Sequence, residues 1–85
     1  MVVKLMPKKA QILRFGEKLR QLRKGKGLTL NDLAERLGYT THGYISEIEN
    51  SKKSPTVEFV LSVSRLFDIS TDLLLKDELE IPHEE

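Results

Sequence analysis

The sequence contains no cysteine, so neither a disulfide nor a thiolate metal site can hold its fold together. It has no run approaching the roughly 18 consecutive apolar residues that a membrane-spanning helix needs. The first residues, MVVKLMPKK, contain too short an apolar stretch for the core of a signal peptide, and Pro7 with two lysines interrupts it. These absences favour a chain that stays in a reducing cytoplasm.

Residues that could perform chemistry are also scarce. Imidazole could come only from His42 and His83, and the serines have no partnered base. No glycine-rich phosphate loop and no cluster of metal-ligating residues is present in the sequence. The acidic residues lie on helix faces and at the C-terminal end, where solvation is the usual explanation. We therefore expect a protein that is not an enzyme and that uses neither a cofactor nor a metal.

Charge is nearly balanced over the 85 residues but is unevenly distributed. Residues 1–26 contain nine lysines and arginines against Glu17 alone, which is nine minus one, or +8. Residues 77–85 contain five acidic residues and no lysine or arginine, or −5. Two interpretations stay open: a polyanionic partner near the N-terminal part, or a solvated basic arm with a solvated acidic tail.

Apolar residues recur at three- and four-residue steps, which is the spacing of one helix face. The first predicted helix carries Ile12, Phe15, Leu19 and Leu22. Gly25 and Gly27 end it, because glycine readily adopts the left-handed conformation at a helix end. Thr29 is the predicted N-cap of a second helix, with Asp32 placed as in a capping box, and Gly38 ends that helix. Its buried face consists of Leu30, Leu33, Ala34 and Leu37.

Three more helices follow in the prediction. The third starts after Thr41, whose hydroxyl can accept a hydrogen bond from a first-turn amide, and runs to about Asn50. Thr56 caps the fourth, and Ser70 caps the fifth, which has Asp72 in its first turn. The inner faces of these helices carry Tyr44, Ile45, Ile48, Phe59, Val60, Val63, Leu66, Phe67, Leu73 and Leu74. The expected fold class is all-α.

The predicted domain organisation has three parts. A compact five-helix domain spans residues 11–76, between a flexible basic N-terminal arm at residues 1–10 and an acidic C-terminal tail at residues 77–85. Residues 1–10 and 78–85 are expected to be frayed, as chain ends commonly are.

Residues 14–76 closely resemble the phage-repressor-like family of helix-turn-helix proteins, also called the XRE or Cro/repressor type. The resemblance rests on FGEKLRQLRKGKGLTLNDLAERLG, on YISEIENSKKSP and on the closing FDISTDLLL. It implies a lambda-repressor-like fold in which the second helix braces the third, and the third enters the major groove of DNA. The expected function is that of a sequence-specific, double-stranded DNA-binding transcription regulator, namely a homodimeric repressor that reads an inverted repeat.

The resemblance also places the base-reading positions at the start of the third helix and one turn later. Counted backward from the Glu-Asn pair, these positions are Thr41, His42, Gly43, Ser46 and Glu47. The turn before the helix is one residue longer than the common family form, so counting forward from Gly38 moves the readers to Thr40 and Thr41. Glu47 can accept from cytosine N4, and His42 can contact a base or a phosphate. The alternative for both is an exposed, solvated side chain.

A second set of residues is expected to contact DNA phosphates: Thr29, Thr40, Lys52, Lys53 and Arg23. Thr29 begins the second helix, whose first amides can bind an anion, and the two lysines could instead be solvated loop residues. The resemblance further implies that Arg23 forms a structural ion pair with Glu49 beneath the DNA surface. The family often has glycine where this chain has Ser51, so we expect Asn50 to take the left-handed turn instead.

The apolar residues around the fifth helix are the candidate surface for a second copy. They are Phe67, Ile69, Leu74, Leu75 and Leu79, with Ile81 nearby, and the alternative is that most of them close the small core. The C-terminal sequence LLLKDELEIPHEE supports a second hypothesis, in which the chain is an antitoxin or adaptor that mainly binds a protein partner. A third variant, a restriction–modification controller, is still a DNA-binding regulator.

Overall fold

Five α-helices follow one another in the computed structural model, which describes residues 12–82. They are α1 (Phe15–Gly25), α2 (Leu30–Leu37), α3 (Gly43–Glu49), α4 (Val57–Phe67) and α5 (Thr71–Leu75). The part of the chain that the structure describes contains no strand, and the predicted all-α class is confirmed. None of these helices is long and apolar enough to cross a membrane. The arm predicted at residues 1–10 lies outside the described residues.

Side-chain caps begin three of the helices at the residues that the sequence predicts. Thr29 Oγ1 accepts a hydrogen bond from the backbone amide of Asp32, and the Asp32 carboxylate accepts one from the amide of Thr29, each at 3.0 Å. These two bonds complete the capping box. Hydrogen bonding of its carboxylate to the backbone amide and the side chain of Thr29 holds the pKa of Asp32 below its usual value. Thr56 and Ser70 cap α4 and α5 through their hydroxyl oxygens. Gly38 ends α2 with a φ of 86°, which suits glycine.

The start of α1 differs from the prediction. Ile12 lies outside the helix and is exposed, although its spacing extends the apolar face. The carboxylate of Asp77 accepts hydrogen bonds from the backbone amides of Leu13 and Arg14, both at 3.0 Å. These amides are therefore satisfied from outside the helix, and α1 begins only after them.

Both ends of α3 also differ from the prediction. Thr41 is not the N-cap, because the first helical bond runs from the amide of Ser46 to the carbonyl oxygen of His42 at 2.9 Å. At the other end, Asn50 keeps a φ of −92° and Ser51 takes the left-handed conformation with a φ of 61°. The amide of Asn50 continues the helical bonding to the carbonyl oxygen of Ser46, so the reversal falls on the next residue.

The inner faces of all five helices meet in one core. Every helix contributes at least one residue that is almost fully buried, including Leu19, Leu33, Ile45, Val63 and Leu74. Three aromatic rings surround Phe59, with centroid distances of 6.1 Å to Phe15, 5.9 Å to Tyr39 and 5.2 Å to Tyr44. Tyr39 belongs to the turn between α2 and α3, so this cluster fixes that turn to the body of the protein.

The chain after α5 packs back onto α1. Ile81 is buried, so the prediction of fraying is wrong for this residue. Lys18 is also fully buried, and its Nζ donates to the carbonyl oxygens of Leu73 at 2.6 Å and Lys76 at 2.7 Å. These carbonyls lie at the end of α5, where a positive charge is favourable. Lys18 therefore connects α1 to α5 inside the protein, and it belongs neither to a solvated basic arm nor to a surface for a polyanion, the two interpretations that charge left open.

Candidate nucleic-acid interface

The unit formed by α2, the following turn and α3 presents a row of accessible residues. The exposed members of the row are Thr40, Thr41, His42 and Gly43, and the partly exposed members are Ser46 and Glu47. On the opposite side of α3, Ile45 and Ile48 are almost fully buried in the core. The structure thus brings all five predicted base-reading residues and Thr40 to one side of α3, facing away from the body.

The C-terminal end of α3 lies directly against α1 at Gly16. A Cβ atom on Gly16 would collide with the carbonyl oxygen of Ile48 and lie 2.8 Å from that of Glu49. Glycine is the residue that fits here without a shift of the backbone. The sequence carries a signal for this contact, a glycine next to Phe15 in the predicted first helix, but apolar spacing alone does not reveal it.

Beneath the row, Glu49 is held by Arg23 of α1. The Glu49 side chain is 2% exposed, and its Oε2 and Oε1 atoms accept from Nε of Arg23 at 2.7 Å and from Nη2 at 3.0 Å. Nη1 of Arg23 donates to the carbonyl oxygen of Leu28 at 2.9 Å. The hydrogen bond with Glu49 raises the pKa of Arg23 above its usual value. Arg23 is 11% exposed, so this side chain offers little surface to a phosphate.

Arg20 is a further basic residue at this place that was not predicted as a site residue. Its Nε lies 3.3 Å from Oε1 of Glu49, and its Nη2 donates to Oδ1 of Asn50 at 2.9 Å. Nδ2 of Asn50 in turn donates to Oγ of Ser46 at 3.4 Å. These contacts fix the guanidinium of Arg20 at the edge of the row. The side chain is 44% exposed, so the guanidinium still reaches solvent. Its place three residues before Arg23, on the same helix face, is the signal in the sequence.

Glu47 and Lys53, which were predicted to contact a base and a phosphate, contact each other. Oε1 of Glu47 lies 3.2 Å from Nζ of Lys53, and that Nζ lies 6.0 Å from the ring centroid of Tyr44. Both charged side chains remain partly solvated, and such pairs contribute only about 0–1 kcal/mol. DNA could therefore separate them at little cost, but until then the Glu47 carboxylate offsets the positive charge of Lys53.

The remaining phosphate candidates are not equally placed. Thr40 and Lys52 are exposed in the loops that precede and follow α3. Thr29 is exposed as well, but its amide and its hydroxyl oxygen are already bonded to Asp32. The Asp32 carboxylate would also repel a phosphate at the start of α2. The geometry therefore favours Thr40 and Lys52 over Thr29.

Part of the basic charge of the N-terminal half is neutralised within the protein. Arg14 binds the carboxylates of Glu17 at 2.8 Å and of Glu80 at 2.9 Å. Its hydrogen bond lowers the pKa of Glu17, and both carboxylates raise the pKa of Arg14. Lys18 is buried, so neither cation is available to a polyanion. Within residues 12–82, no group of histidine and acidic side chains could hold a metal ion.

The predicted dimer candidates divide into two kinds. Leu74 is fully buried within the monomer, so the prediction that it contacts a second copy is wrong. Phe67, Ile69 and Leu75 are partly buried and pack against the core, and Leu79 is partly buried in the segment after α5. Phe67, Ile69 and Leu75 therefore help to close the core of one copy.

A family model described as helix-turn-helix matches residues 19–74. The chain belongs to the XRE-type helix-turn-helix family. This helix-turn-helix protein is 42% identical over 66 residues to the transcriptional activator BcrR of Enterococcus faecalis, a match that covers 78% of this chain and 32% of BcrR. It is 41% identical over 69 residues to the transcriptional regulator SinR of Bacillus licheniformis, which covers 78% of this chain and 61% of SinR.

The fold of this helix-turn-helix protein is shared with a crystal structure of SinR in complex with DNA. The TM-score is 0.64 at 36% sequence identity, and the match covers 71% of this chain and 95% of that chain. The chain spans from about a third to about three fifths of the length of the two curated relatives. Both relatives are transcription regulators and not enzymes, which agrees with the expected class of function.

Proposed function

We propose that this helix-turn-helix protein regulates transcription by binding double-stranded DNA as a homodimer, with α3 of each copy in the major groove of one half of an inverted repeat. One observation carries the proposal: Ile45, Ile48 and Glu49 fix one side of α3 to the body, while its other side stays accessible. The major groove is about 12 Å wide and admits a helix presented in this way. The shared fold with the SinR–DNA complex supports the same docking.

Base reading falls first on the residues around the start of α3. Thr41 and His42 are exposed and precede the first turn, where their side chains can reach past the helix end. Gly43 has no side chain, so a base or phosphate could approach its backbone closely. Few side chains offer a bidentate contact to a base, and we therefore infer that DNA shape contributes to the choice of sequence.

Ser46 and Glu47 lie one turn further along α3. The Ser46 hydroxyl is held by Asn50, so its orientation is set before DNA binds. Glu47 would read cytosine N4 only after Lys53 leaves it for a phosphate. Glu47 therefore has two effects: it favours a cytosine in each half-site, and it weakens the attraction of the free protein for any duplex.

Contacts to the phosphates would flank α3 on both sides. Thr40 precedes the helix, Lys52 and Lys53 follow it, and Arg20 reaches the same edge from α1. Each cation that neutralises a phosphate steepens the dependence of affinity on salt by about one unit of log–log slope. These residues supply affinity, whereas the row on α3 supplies the preference for a sequence.

Selection of binding sites from random duplex DNA tests the proposal. We expect two half-sites in inverted orientation, with centres about one helical turn apart. Equal retention of every duplex, or no retention at all, would contradict sequence-specific binding.

Two lysine variants form a matched control for the surface. Lys52→Ala removes an exposed lysine beside α3, and Lys76→Ala removes an exposed lysine after α5. We expect the salt slope on the selected duplex to fall by about one unit for Lys52→Ala and to stay unchanged for Lys76→Ala. Equal effects of the two substitutions would place the DNA on another face.

The direction of regulation is a separate proposal. We infer repression, by a dimer that covers promoter DNA, although BcrR is named as an activator. A reporter gene with the selected site across its promoter should lose expression when the protein is present. The hypothesis of a protein partner rests on the C-terminal end, but Ile81 and Asp77 of that end bind this chain's own α1 and its start.

A further inference from the structure

The helix α4 exposes an apolar stripe that none of the residues 12–82 covers. Val57 is 84% exposed and Leu61 is 42% exposed, although both are large aliphatic residues. They are four residues apart in one helix, so they lie on the same face. The opposite face of α4 carries Phe59, Val60 and Val63, which are buried in the core.

The same face carries one charge of each sign. Glu58 and Arg65 are exposed, and neither forms an ion pair within residues 12–82. They are seven residues apart, which is about 10.5 Å along the helix axis, too far for a direct contact between them. Leu61 lies between them, three residues after Glu58 and four before Arg65.

We propose that this face of α4 is the contact between the two copies of the homodimer, with the two α4 helices antiparallel across a two-fold axis near Leu61. A two-fold contact uses the same patch on both copies, so the patch must complement itself. The antiparallel arrangement places Glu58 of each copy beside Arg65 of the other and packs the two Leu61 side chains together. A parallel arrangement would place like charges side by side.

The apolar ends of the contact fit the same arrangement. Val57 of each copy would lie against the aliphatic stem of Arg65 of the other copy, since these positions are equally distant from Leu61. A second copy fits this face better than an unrelated partner, because the opposite charges sit on either side of one apolar centre. One helix from each copy buries less surface than the roughly 1,200 Å² of a stable interface, so we expect weak association that DNA strengthens.

This inference deepens the homodimer of the proposed function and moves the contact from the region of α5 to α4. The absence of native cysteine allows a direct test with single cysteines. Leu61→Cys should form a disulfide-linked dimer under mild oxidation in the absence of DNA, because the two substituted side chains meet at the axis. Glu35→Cys on exposed α2 is the control for random collisions, and Leu79→Cys reports the alternative surface near α5.

Preferential cross-linking of Leu61→Cys would support the inference. Equal yields at all three positions, or preferential cross-linking of Leu79→Cys, would overturn it. Far-UV circular dichroism of each variant before oxidation shows whether the substitution leaves the fold intact.

The charges test the antiparallel orientation. In the Leu61→Cys background, either Glu58→Arg or Arg65→Glu should lower the yield of cross-linked dimer severalfold, since each creates a like-charged pair. The two substitutions together should restore the yield, and failure to restore it would overturn the orientation. A dimer linked through Leu61→Cys that binds no duplex would refute the proposed DNA function and leave the α4 contact standing. Selective DNA binding by a protein that does not form this cross-link would overturn the α4 contact and leave the proposed DNA function standing.

Discussion

The two ends of α1 are held by ion pairs that differ in their burial. Near its C-terminal end, Arg23 binds Glu49, whose side chain is 2% exposed. Before its N-terminal end, Arg14 binds Glu80, whose side chain is 74% exposed. The distances are similar, at 2.7 Å and 2.9 Å. Distance therefore does not set the energetic weight of such a pair, because a charge without its partner costs most where water cannot reach it.

The buried pair also lies under the proposed DNA-binding row. Glu49 is the last residue of α3, and its two arginine contacts fix that end of the helix on α1. Stability and DNA recognition should therefore fail together when Glu49 is removed. At the other end of α1, contacts to the segment after α5 should affect stability and leave the selectivity for DNA unchanged.

The largest effect is expected from Glu49→Ala. Arg23 would keep a largely buried charge without its partner, and breaking such a pair typically costs about 3–5 kcal/mol of unfolding free energy. Chemical denaturation measures this loss. Glu17→Ala is the matched control, since it removes an exposed partner of Arg14 and should change stability little. Similar losses of unfolding free energy in Glu49→Ala and Glu17→Ala would contradict the greater energetic weight of the buried pair.

A smaller effect is expected from Lys18→Met, which tests the buried contact near the other end of α1. The carbonyl oxygen of Leu73 would lose Lys18 as its donor, whereas that of Lys76 would keep the amide of Leu79. An unsatisfied buried polar group costs about 1–3 kcal/mol. Lys24→Met, at an exposed position of the same helix, should be close to neutral. If Lys18→Met is as stable as the wild type, the tie between α1 and α5 does not contribute to folding.

The dependence of stability on pH tests Asp77. Hydrogen bonds from the amides of Leu13 and Arg14 hold the pKa of its carboxyl below its usual value. A depressed pKa stabilises the fold above the unfolded-state value of about 3.9, and this contribution is lost as the pH falls through the folded-state value. The difference in Tm between the wild type and Asp77→Asn should therefore shrink on acidification from pH 7. A difference that stays constant down to pH 2 would refute the role of the ionised carboxylate.

The smallest effect on stability is expected from Arg20→Ala. Arg20 is the exposed member of the Glu49 cluster, so its loss should cost less than about 1 kcal/mol. The same substitution should reduce the salt slope of DNA binding by about one unit, whereas Arg20→Lys should retain that slope. Loss of stability without a change in the salt slope would mean that Arg20 only holds Glu49 in place and does not contact DNA.

The caps of α2, α4 and α5 and the apolar faces could be predicted from the sequence because they depend on residues only a few positions apart. Thr29, Thr56 and Ser70 each bond to an amide three residues later, and Gly38 provides the left-handed turn that ends α2. The start of α1 could not be predicted in this way. Its amides are bonded to Asp77, which lies 64 residues after Leu13.

Part of the candidate site could also be predicted from the sequence. The family motif places Thr40, Thr41, His42 and Gly43 at the start of α3, and the structure leaves them exposed. Their roles toward DNA stay predictions. The spacing that puts Arg20 on the same helix face as Arg23 is present in the sequence. The contact of Arg20 with Glu49 and the pairing of Glu47 with Lys53 depend on how loops and helices meet in space, so spacing along the chain does not reveal them.

A titration of isotope-labelled protein with the selected duplex, monitored through the NMR shifts of the backbone amides, tests whether α3 is the helix that reads DNA. If α3 is the reading helix, the amides of residues 40–47 and 52–53 should shift most, and those of α5 should stay in place. The largest shifts on α5, with none at residues 40–47, would contradict DNA reading by α3.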